Sequence, residues 1–344
     1  MTKRDSASLK GVAIVLMLIH HLFGEKYWQS FDMTTIFLSQ KNWIFLSSTG
    51  KICVAIFVFI SAFGMTKSLS RITTKTDTRE YITRRYIKVI MPFLFIYLLS
   101  AILAVCTNRW VEVYGADWKI TGYYVLLDAL GLASVLGTPT LNVTWWYMSY
   151  AVLLIVLIPL INKIIDKFGA VAGIIAGILI PIFMNLQTYN TLLLYMLPVC
   201  LGVICARTDI FDKMKELSKL RQSVLYVVLF ITLGSTVYIR FHYGCYWLVD
   251  GVISFAIVPI IMLFSKLPVI PNVFAFLGKH SMNIFLTHTF IFYYYLKEQL
   301  YSCKYPIVIL LVLLLSSLLI SIAIEAIKKL VRFHKLEEYL LKKI

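Results

Sequence analysis

The sequence predicts an all-α integral membrane protein, a bundle of about ten transmembrane helices with both termini in the cytoplasm. The chain is 60% hydrophobic, has a mean hydropathy of +0.83 and is only 15% charged, whereas soluble domains are about 45–50% apolar. Its apolar residues come in runs of about 16–24, the length that crosses a bilayer. Lysine and arginine concentrate in every second segment between these runs, as in membrane proteins of alternating topology.

Ten apolar segments are candidate membrane spans. They cover residues 10–24, 46–67, 86–107, 142–164, 169–186, 190–206, 222–240, 246–266, 281–297 and 305–328. A further apolar segment, 123–137, is short and contains Asp128 and two glycines, so we expect a re-entrant or interfacial position. No polar stretch is long enough for a soluble domain, and residues 1–344 are interpreted as one transmembrane domain.

Basic residues orient the predicted bundle. With the N-terminus inside, 25 of the 33 lysines and arginines fall on inner segments and 8 on outer ones, as the positive-inside rule requires. The net charge of +16 is then an orientation signal and an attraction to the anionic inner leaflet, not a sign of nucleic-acid binding. The first apolar run follows Lys3, Arg4 and Lys10 and has no small-residue cleavage site, so we interpret it as a retained helix.

The six cysteines show no metal-ligand spacing, and no metal site is expected. Cys200 and Cys205 lie in an apolar run, where a thiol is usually a small hydrophobic group. Cys245 and Cys303 fall near predicted outer loops, where they could pair or stay reduced. The sequence contains no Gly-rich phosphate loop and no serine nucleophile elbow, which argues against a soluble-type ATPase or hydrolase.

Lys10 and His21 are the first candidate site, because ionisable groups inside spans are costly and usually functional. They are eleven positions apart on one helix. At that spacing the two side chains lie within about 20° of the same helix face and about 16 Å apart along the axis. A histidine there can act as a general base. The alternative is that Lys10 flanks the membrane and His21 is a packed or interfacial histidine. His20 points elsewhere on the helix and is the weaker candidate.

Arg84, Arg85 and Lys88 precede Pro92 and form the second candidate site. Their spacing predicts one basic helical patch at the cytoplasmic mouth, which suits phosphate groups. The alternative is an ordinary basic cluster that contacts lipid phosphates.

Two further segments carry polar or aromatic groups. Gly278–His288 places Ser281 and His288 on one face of the ninth span, with Asn283 and Thr287 as additional hydrogen-bonding groups; the alternative is a histidine that only packs helices. The other candidate residues lie at the predicted outer face and could hold a sugar or headgroup: Trp145, Trp146 and Tyr147 within 142–147, and Asp250. Tryptophan near the outer edges also fits a plain aromatic belt, formed by Trp43, Trp110, Trp118, Trp145, Trp146 and Trp247.

Taken in order, these segments resemble the acyltransferase-3 family of bacterial ten-helix membrane acyltransferases. The matching segments are Ser6–His21 (basic-x10-His helix), Val54–Gly64 (phenylalanine-rich second span), Arg84–Pro92 (Arg-x-x-Arg and proline), Trp145–Met148 (Trp-aromatic fourth span) and Gly278–His288 (Gly-x-x-Ser…Leu-x-His). The chain departs from the family pattern with lysine at positions 10 and 88, where arginine is usual, and also at Ala62 and Thr144. Lysine keeps the charge but loses the bidentate fork.

The resemblance implies transfer of an acyl group, usually acetyl, from cytoplasmic acyl-CoA to a hydroxyl of a surface glycan, its lipid-linked precursor or another envelope acceptor. It implies His21 as catalytic residue, as base or acyl carrier, with His288 in the site. The implied coenzyme A ligands are Lys10, Arg84, Arg85 and Lys88. The candidate substrate-binding residues are Trp145, Trp146, Tyr147, Asp250, Ser281 and Asn283. Acetyl-CoA is then the co-substrate, and the bacterial cytoplasmic membrane is the expected location.

Two other function classes remain open from sequence. A proton-coupled secondary transporter also uses midplane histidines, although neither an inverted repeat nor paired interrupted spans are visible. A non-enzymatic component of glycan assembly is the third class. No soluble transferase domain follows the last predicted helix, so an enzyme of this sequence is expected to reach its acceptor directly or through a separate partner.

Overall fold

The structure is a computed structural model that describes residues 1–72, 75–183, 193–244, 246–264, 267 and 269–344, apart from the side chains of residues 75, 76 and 270. The described residues are helical without a strand, which confirms the all-α class. The helices are α1 (Lys3–Leu22), α2 (Glu25–Ser30), α3 (Gln40–Gly50), α4 (Cys53–Leu69), α5 (Lys75–Cys106), α6 (Arg109–Tyr114), α7 (Trp118–Ala129), α8 (Ala133–Leu136), α9 (Trp146–Phe183), α10 (Met196–Thr208), α11 (Ile210–Glu216), α12 (Lys219–Tyr243), α13 (Tyr246–Phe264), α14 (Ile270–Lys279), α15 (Ser281–Thr289), α16 (Lys297–Tyr301), α17 (Pro306–Leu330) and α18 (Phe333–Lys342).

Among the described residues, seven helical segments are long and apolar enough to cross a membrane, or eight if the bent α10–α11 pair is one span. They are Lys3–Leu22, Gln40–Leu69, Asp77–Cys106, Val143–Phe183, Lys219–Tyr243, Tyr246–Phe264 and Pro306–Leu330. The prediction of a multi-pass membrane protein is therefore confirmed. The count of ten spans and the cytoplasmic termini stay predictions.

Helix α9 is broken at Gly169, whose φ of +83° and ψ of 171° lie outside the helical region. Glycine adopts this backbone conformation without a steric penalty because it has no Cβ. The break falls where the sequence predicts the fifth span (169–186) to begin. The predicted junction between the fifth and sixth spans, residues 187–189, lies outside the described part of the chain.

The segment 123–137 forms the end of α7 and the short α8, and neither helix is a candidate span. Its carboxylate, Asp128, is buried and accepts hydrogen bonds from the Tyr114 hydroxyl (2.6 Å), the Leu141 amide (2.7 Å) and the Thr140 hydroxyl (2.9 Å). Burial raises the pKa of Asp128, and these donors oppose that rise. The network fixes the chain immediately before α9.

Helices α1 and α14 pack with their backbones in direct contact, and two glycines make this approach possible. A Cβ on Gly11 would lie 1.9 Å from the Phe274 carbonyl oxygen, and one on Gly278 would lie 1.8 Å from the Ala7 carbonyl oxygen. Small residues allow such close packing between membrane helices. Both glycines lie within sequence segments predicted to carry function, Ser6–His21 and Gly278–His288, so this contact positions those segments.

Candidate active site

A cavity of about 450 Å³ lies between α1, the α3–α4 junction, α4, α5, the start of α9 and α15. This volume is in the range of small-molecule binding sites. Its charged, polar and aromatic lining includes Lys10, His20, His21, Lys51, Ser61, Arg85, Thr144, Trp146, Tyr147, Tyr195, Ser281 and Phe285. We call it the basic cavity.

Helix α1 forms one wall of the basic cavity. The helix begins at a capping box in which Thr2 and Asp5 satisfy each other's backbone amides (3.1 and 2.7 Å). Lys10 and His21 both line the cavity, on the shared face that their spacing predicts. Eleven residues of helix separate them by about 16 Å, so the cation and the histidine occupy different depths of the same cavity.

The basic cavity carries three cations, Lys10, Lys51 and Arg85, and none of its described lining residues is Asp or Glu. Among the described residues, the buried Nε of Arg85 has no hydrogen-bond partner. Leaving a charged donor buried and unpaired is costly. The cavity is therefore suited to an anionic ligand that would complete these contacts.

Arg84 and Lys88 do not line the cavity. The Nε of Arg84 pairs with Glu80 at 2.7 Å, and the Arg84 side chain is 40% exposed. Lys88 is exposed. The expectation of a single basic patch was wrong, because adjacent helical residues point about 100° apart and only Arg85 faces the interior.

His20 lines the same cavity as His21, so the expectation that it points away from the site was wrong. Its Nδ1 lies 2.8 Å from the Ser47 carbonyl oxygen. A carbonyl can only accept, so Nδ1 carries the proton and Nε2 is left with its lone pair. The Ser47 hydroxyl donates in return to the His20 carbonyl at 2.9 Å, which fixes α3 against this turn of α1.

His288 is fully buried and packs behind His21, with the two ring centroids 5.2 Å apart. Its Nδ1 donates to the Phe285 carbonyl at 2.8 Å, and its ring stacks on Phe292 at 5.6 Å. The helix changes to a π-helical turn at 290–295 directly after α15; such turns occur frequently at functional sites. His288 therefore supports His21 rather than lining the cavity.

A second cavity of about 420 Å³ adjoins the same histidines. It is lined by His20, His21, Gly24, Glu25, Lys26, Tyr27, Ile44, Ser47 and Ser48. His20 and His21 line both cavities. His20 and His21 therefore lie between the two cavities, and a ligand in either cavity can contact them.

Trp146 and Tyr147 line the basic cavity, but Trp145 does not. Trp145 is buried, its Nε1 donates to the Leu286 carbonyl at 3.1 Å, and its ring packs edge-on against Phe93 at 5.0 Å. It joins α9 to α15 and α5. An aromatic-belt position is thus wrong for Trp145, whereas Trp118, 77% exposed, has the exposure that a belt requires.

Ser281 lines the basic cavity, whereas Asn283 belongs to a neighbouring polar network. The amide of Asn283 donates to Glu325 Oε1 (2.8 Å) and to the Ser321 hydroxyl (3.1 Å). Lys328 pairs with the same carboxylate oxygen at 2.8 Å. These contacts hold α15 against α17.

Asp250 is also outside the cavity lining. It forms a buried ion pair with Arg240 Nε at 2.6 Å, and both side chains are 3% exposed. Arg240 also donates to the Ser48 carbonyl at 2.7 Å. The pair therefore ties α13 and α12 to the end of α3 that holds His20.

Comparison with known proteins identifies the family. The sequence model of the acyltransferase-3 family, described as an acyltransferase domain, matches residues 7–326. The chain belongs to this family. The resemblance drawn from the sequence is confirmed, and membership supports a membrane acyltransferase in general. No curated protein and no solved structure matches the chain.

Sequence reasoning missed one cavity residue of this acyltransferase-3 protein, Lys51, and ranked another, His20, too low. The positive-inside assignment places Lys51 among its eight outer-segment cations, although this lysine lies within the candidate span Gln40–Leu69. A lysine inside a span, directly after a glycine, was the available signal. His20 had no signal, because its access to the cavity depends on how α3 packs against α1.

The described cysteines of this acyltransferase-3 protein are free thiols. Cys200 and Cys205 are buried free thiols, and Cys53 lines the cavity. Cys245, and with it the predicted pairing with Cys303, lies outside the described residues. Within the described ranges, no three His, Cys, Asp or Glu side chains converge as metal ligands.

Proposed function

We propose that this protein is an O-acyltransferase of the bacterial cytoplasmic membrane that moves an acetyl group from acetyl-CoA to a hydroxyl of a surface glycan, its lipid-linked precursor or another envelope acceptor. One observation carries the proposal. A cavity with three cations and no carboxylate in its described lining ends at two histidines, and these histidines also line a second cavity.

The basic cavity is the proposed donor site. Lys10 and Arg85 bind phosphates of coenzyme A, whose diphosphate and 3′-phosphate supply the anions that these side chains lack. A volume of about 450 Å³ suits the acyl-pantetheine arm, and the nucleotide then stays at the mouth. Trp146, Tyr147 and Ser281 contact this arm. Arg84 and Lys88, at the surface, contribute less.

His21 is the proposed general base. It removes the proton from the acceptor hydroxyl as the hydroxyl oxygen attacks the carbonyl carbon of the thioester. The C–S bond then breaks, and the proton passes from His21 to the departing sulfur. His288 holds the His21 ring by direct packing at 5.2 Å. The acceptor enters by the second cavity, so donor and acceptor meet at the two histidines between the cavities.

The proposed topology has ten spans with both termini in the cytoplasm and one acyltransferase domain over residues 1–344. It is supported by the break of α9 at Gly169, which divides a 41-residue apolar segment into two lengths. Lys10 then lies at the cytoplasmic end of α1 and His21 towards the outer end. This orientation brings a cytoplasmic donor and an outer acceptor to the same histidines.

The first test is acetyl-CoA binding by the detergent-purified protein, with Arg85→Ala beside Arg84→Ala. Loss of a charge-assisted contact worth about 1.5–3 kcal/mol weakens binding about 10- to 100-fold in Arg85→Ala. Arg84→Ala is the matched control, because its exposed pair with Glu80 is worth about 0–1 kcal/mol.

Equal losses in the two variants would contradict the assignment of Arg85 to the donor site. Absence of binding by a well-folded wild type would overturn the acyl-CoA proposal and favour a proton-coupled transporter with His21 and His288 on the proton path.

A further inference from the structure

Lys51 occupies an unusual place for a cation. It lies between α3 and α4, inside the apolar segment Gln40–Leu69. A charged side chain at such a position is costly and is usually kept for function. Lys51 is half-buried, and it lines the basic cavity.

Gly50 explains how Lys51 reaches the histidines. A Cβ at Gly50 would lie 2.5 Å from the Leu16 carbonyl oxygen and 3.2 Å from the Cβ of His20. The α3–α4 junction therefore rests directly on the α1 backbone, one turn from His20 and His21. Lys51 lines the basic cavity together with His20 and His21, so the ammonium and the proposed base face the same cavity.

The ammonium of Lys51 is not committed to a protein partner. Within the described residues, it forms no hydrogen bond or ion pair. Asp250 is within electrostatic range of it, but that carboxylate is paired with Arg240 at 2.6 Å. The N–H donors of the Lys51 ammonium are therefore available to a ligand in the cavity.

We propose that Lys51 stabilises the oxyanion that forms on the carbonyl oxygen of the acyl thioester when the acceptor attacks. This role rests on the proposed function. As the acceptor oxygen bonds to the carbonyl carbon, the C=O electron pair moves onto oxygen beside the ammonium, and His21 takes the hydroxyl proton. The pair then re-forms C=O, the C–S bond breaks, and the sulfur leaves with the proton from His21. No further reactant is needed.

The three cations of the basic cavity have different roles in this mechanism. Lys10 and Arg85 bind donor phosphates in the ground state, so their loss weakens donor affinity. Lys51 faces charge that develops only in the transition state, so its loss lowers the rate. The two roles differ in whether KM or kcat changes.

The test measures kcat and KM for acetyl-CoA in wild type, Lys51→Met and Lys51→Arg, in parallel with equilibrium acetyl-CoA binding. For Lys51→Met we expect a fall in kcat of about 10²- to 10³-fold, the usual effect of losing an oxyanion donor, with donor affinity retained. Retained affinity also shows that the cavity is folded. Lys51→Arg keeps a charged donor and recovers part of the rate. Lys41→Met, at an exposed cation of α3, is the control and keeps full activity.

Three results would overturn this role. Wild-type kcat in Lys51→Met would exclude an oxyanion contact, and a raised KM with unchanged kcat would make Lys51 a phosphate ligand. A Lys51→Arg variant as inactive as Lys51→Met, with both still binding acetyl-CoA, would exclude a role of the charge. A wild type that neither binds nor turns over acetyl-CoA would instead overturn the proposed function, on which the role of Lys51 depends.

Discussion

The cations inside this bundle fall into two groups with different surroundings. Arg240 and Lys328 have buried side chains and are paired with carboxylates at 2.6 and 2.8 Å. Lys10, Lys51 and Arg85 line a cavity in whose described lining no carboxylate occurs. Breaking a buried pair leaves an uncompensated charge, so the first group stabilises helix packing. Among the residues that the structure describes, no carboxylate pairs with the second group, so its charge is available to a ligand.

This difference predicts opposite consequences of mutation. Changes at the basic cavity should remove donor binding or turnover and leave the fold intact. Changes at the paired cations or at the helix contacts should lower stability and leave the intrinsic chemistry of the folded fraction unchanged.

The largest effect is expected at His21. His21→Ala removes the proposed base, and general-base catalysis contributes about 10²- to 10⁴-fold, so acetyl transfer should fall by that factor. The measurement is acetyl transfer or acetyl-CoA hydrolysis by purified protein, with thermal unfolding to verify the fold. The control is His242→Ala, an exposed histidine of α12 outside both cavities. Wild-type activity in His21→Ala would remove His21 from the mechanism.

The next effect is expected at the buried pair. Asp250→Ala leaves Arg240 buried without its carboxylate, and such a loss costs about 3–5 kcal/mol. Thermal unfolding in detergent should show a clearly lower midpoint, whereas the protein that remains folded binds acetyl-CoA with wild-type affinity.

Asp212→Ala is the control, because this exposed carboxylate pairs only at the surface, with Lys215 at 2.8 Å and with the N-terminal amine at 3.8 Å, and such exposed pairs contribute about 1 kcal/mol at most. If Asp250→Ala lost acetyl transfer at unchanged stability and unchanged donor affinity, Asp250 would belong to the acceptor site, as the sequence first suggested.

The smallest effect is expected at the contact between α1 and α14. Gly278→Ala places a Cβ 1.8 Å from the Ala7 carbonyl oxygen, and overpacking of this kind costs about 1–3 kcal/mol. The unfolding midpoint should fall. Gly234→Ala in α12 is the matched control, because no neighbouring atom lies within 4 Å of its Cβ position and alanine favours the helix by about 1 kcal/mol. Equal midpoints in the two variants would show that the backbone contact is dispensable.

The helical periodicity of the sequence predicted part of the candidate site. The helical repeat placed Lys10 and His21 on one face, and both line the cavity. The same reasoning grouped Arg84, Arg85 and Lys88 correctly along one helix, but it could not decide which of them faces inward. That depends on the rotation of α5 about its axis, which is set by packing against the other helices.

The sequence by itself determined the membrane class and the family. Apolar runs of bilayer length need no partner to be recognised, because every spanning segment must satisfy its own backbone hydrogen bonds. The motifs were likewise local in the chain, and the family match over residues 7–326 confirmed them. Only the tertiary structure gave Asp250 its partner Arg240, brought His288 against His21, and placed Lys51 beside the histidines. These contacts join residues on different helices, and they depend on backbone approaches such as that of Gly50 to α1, which no local pattern encodes.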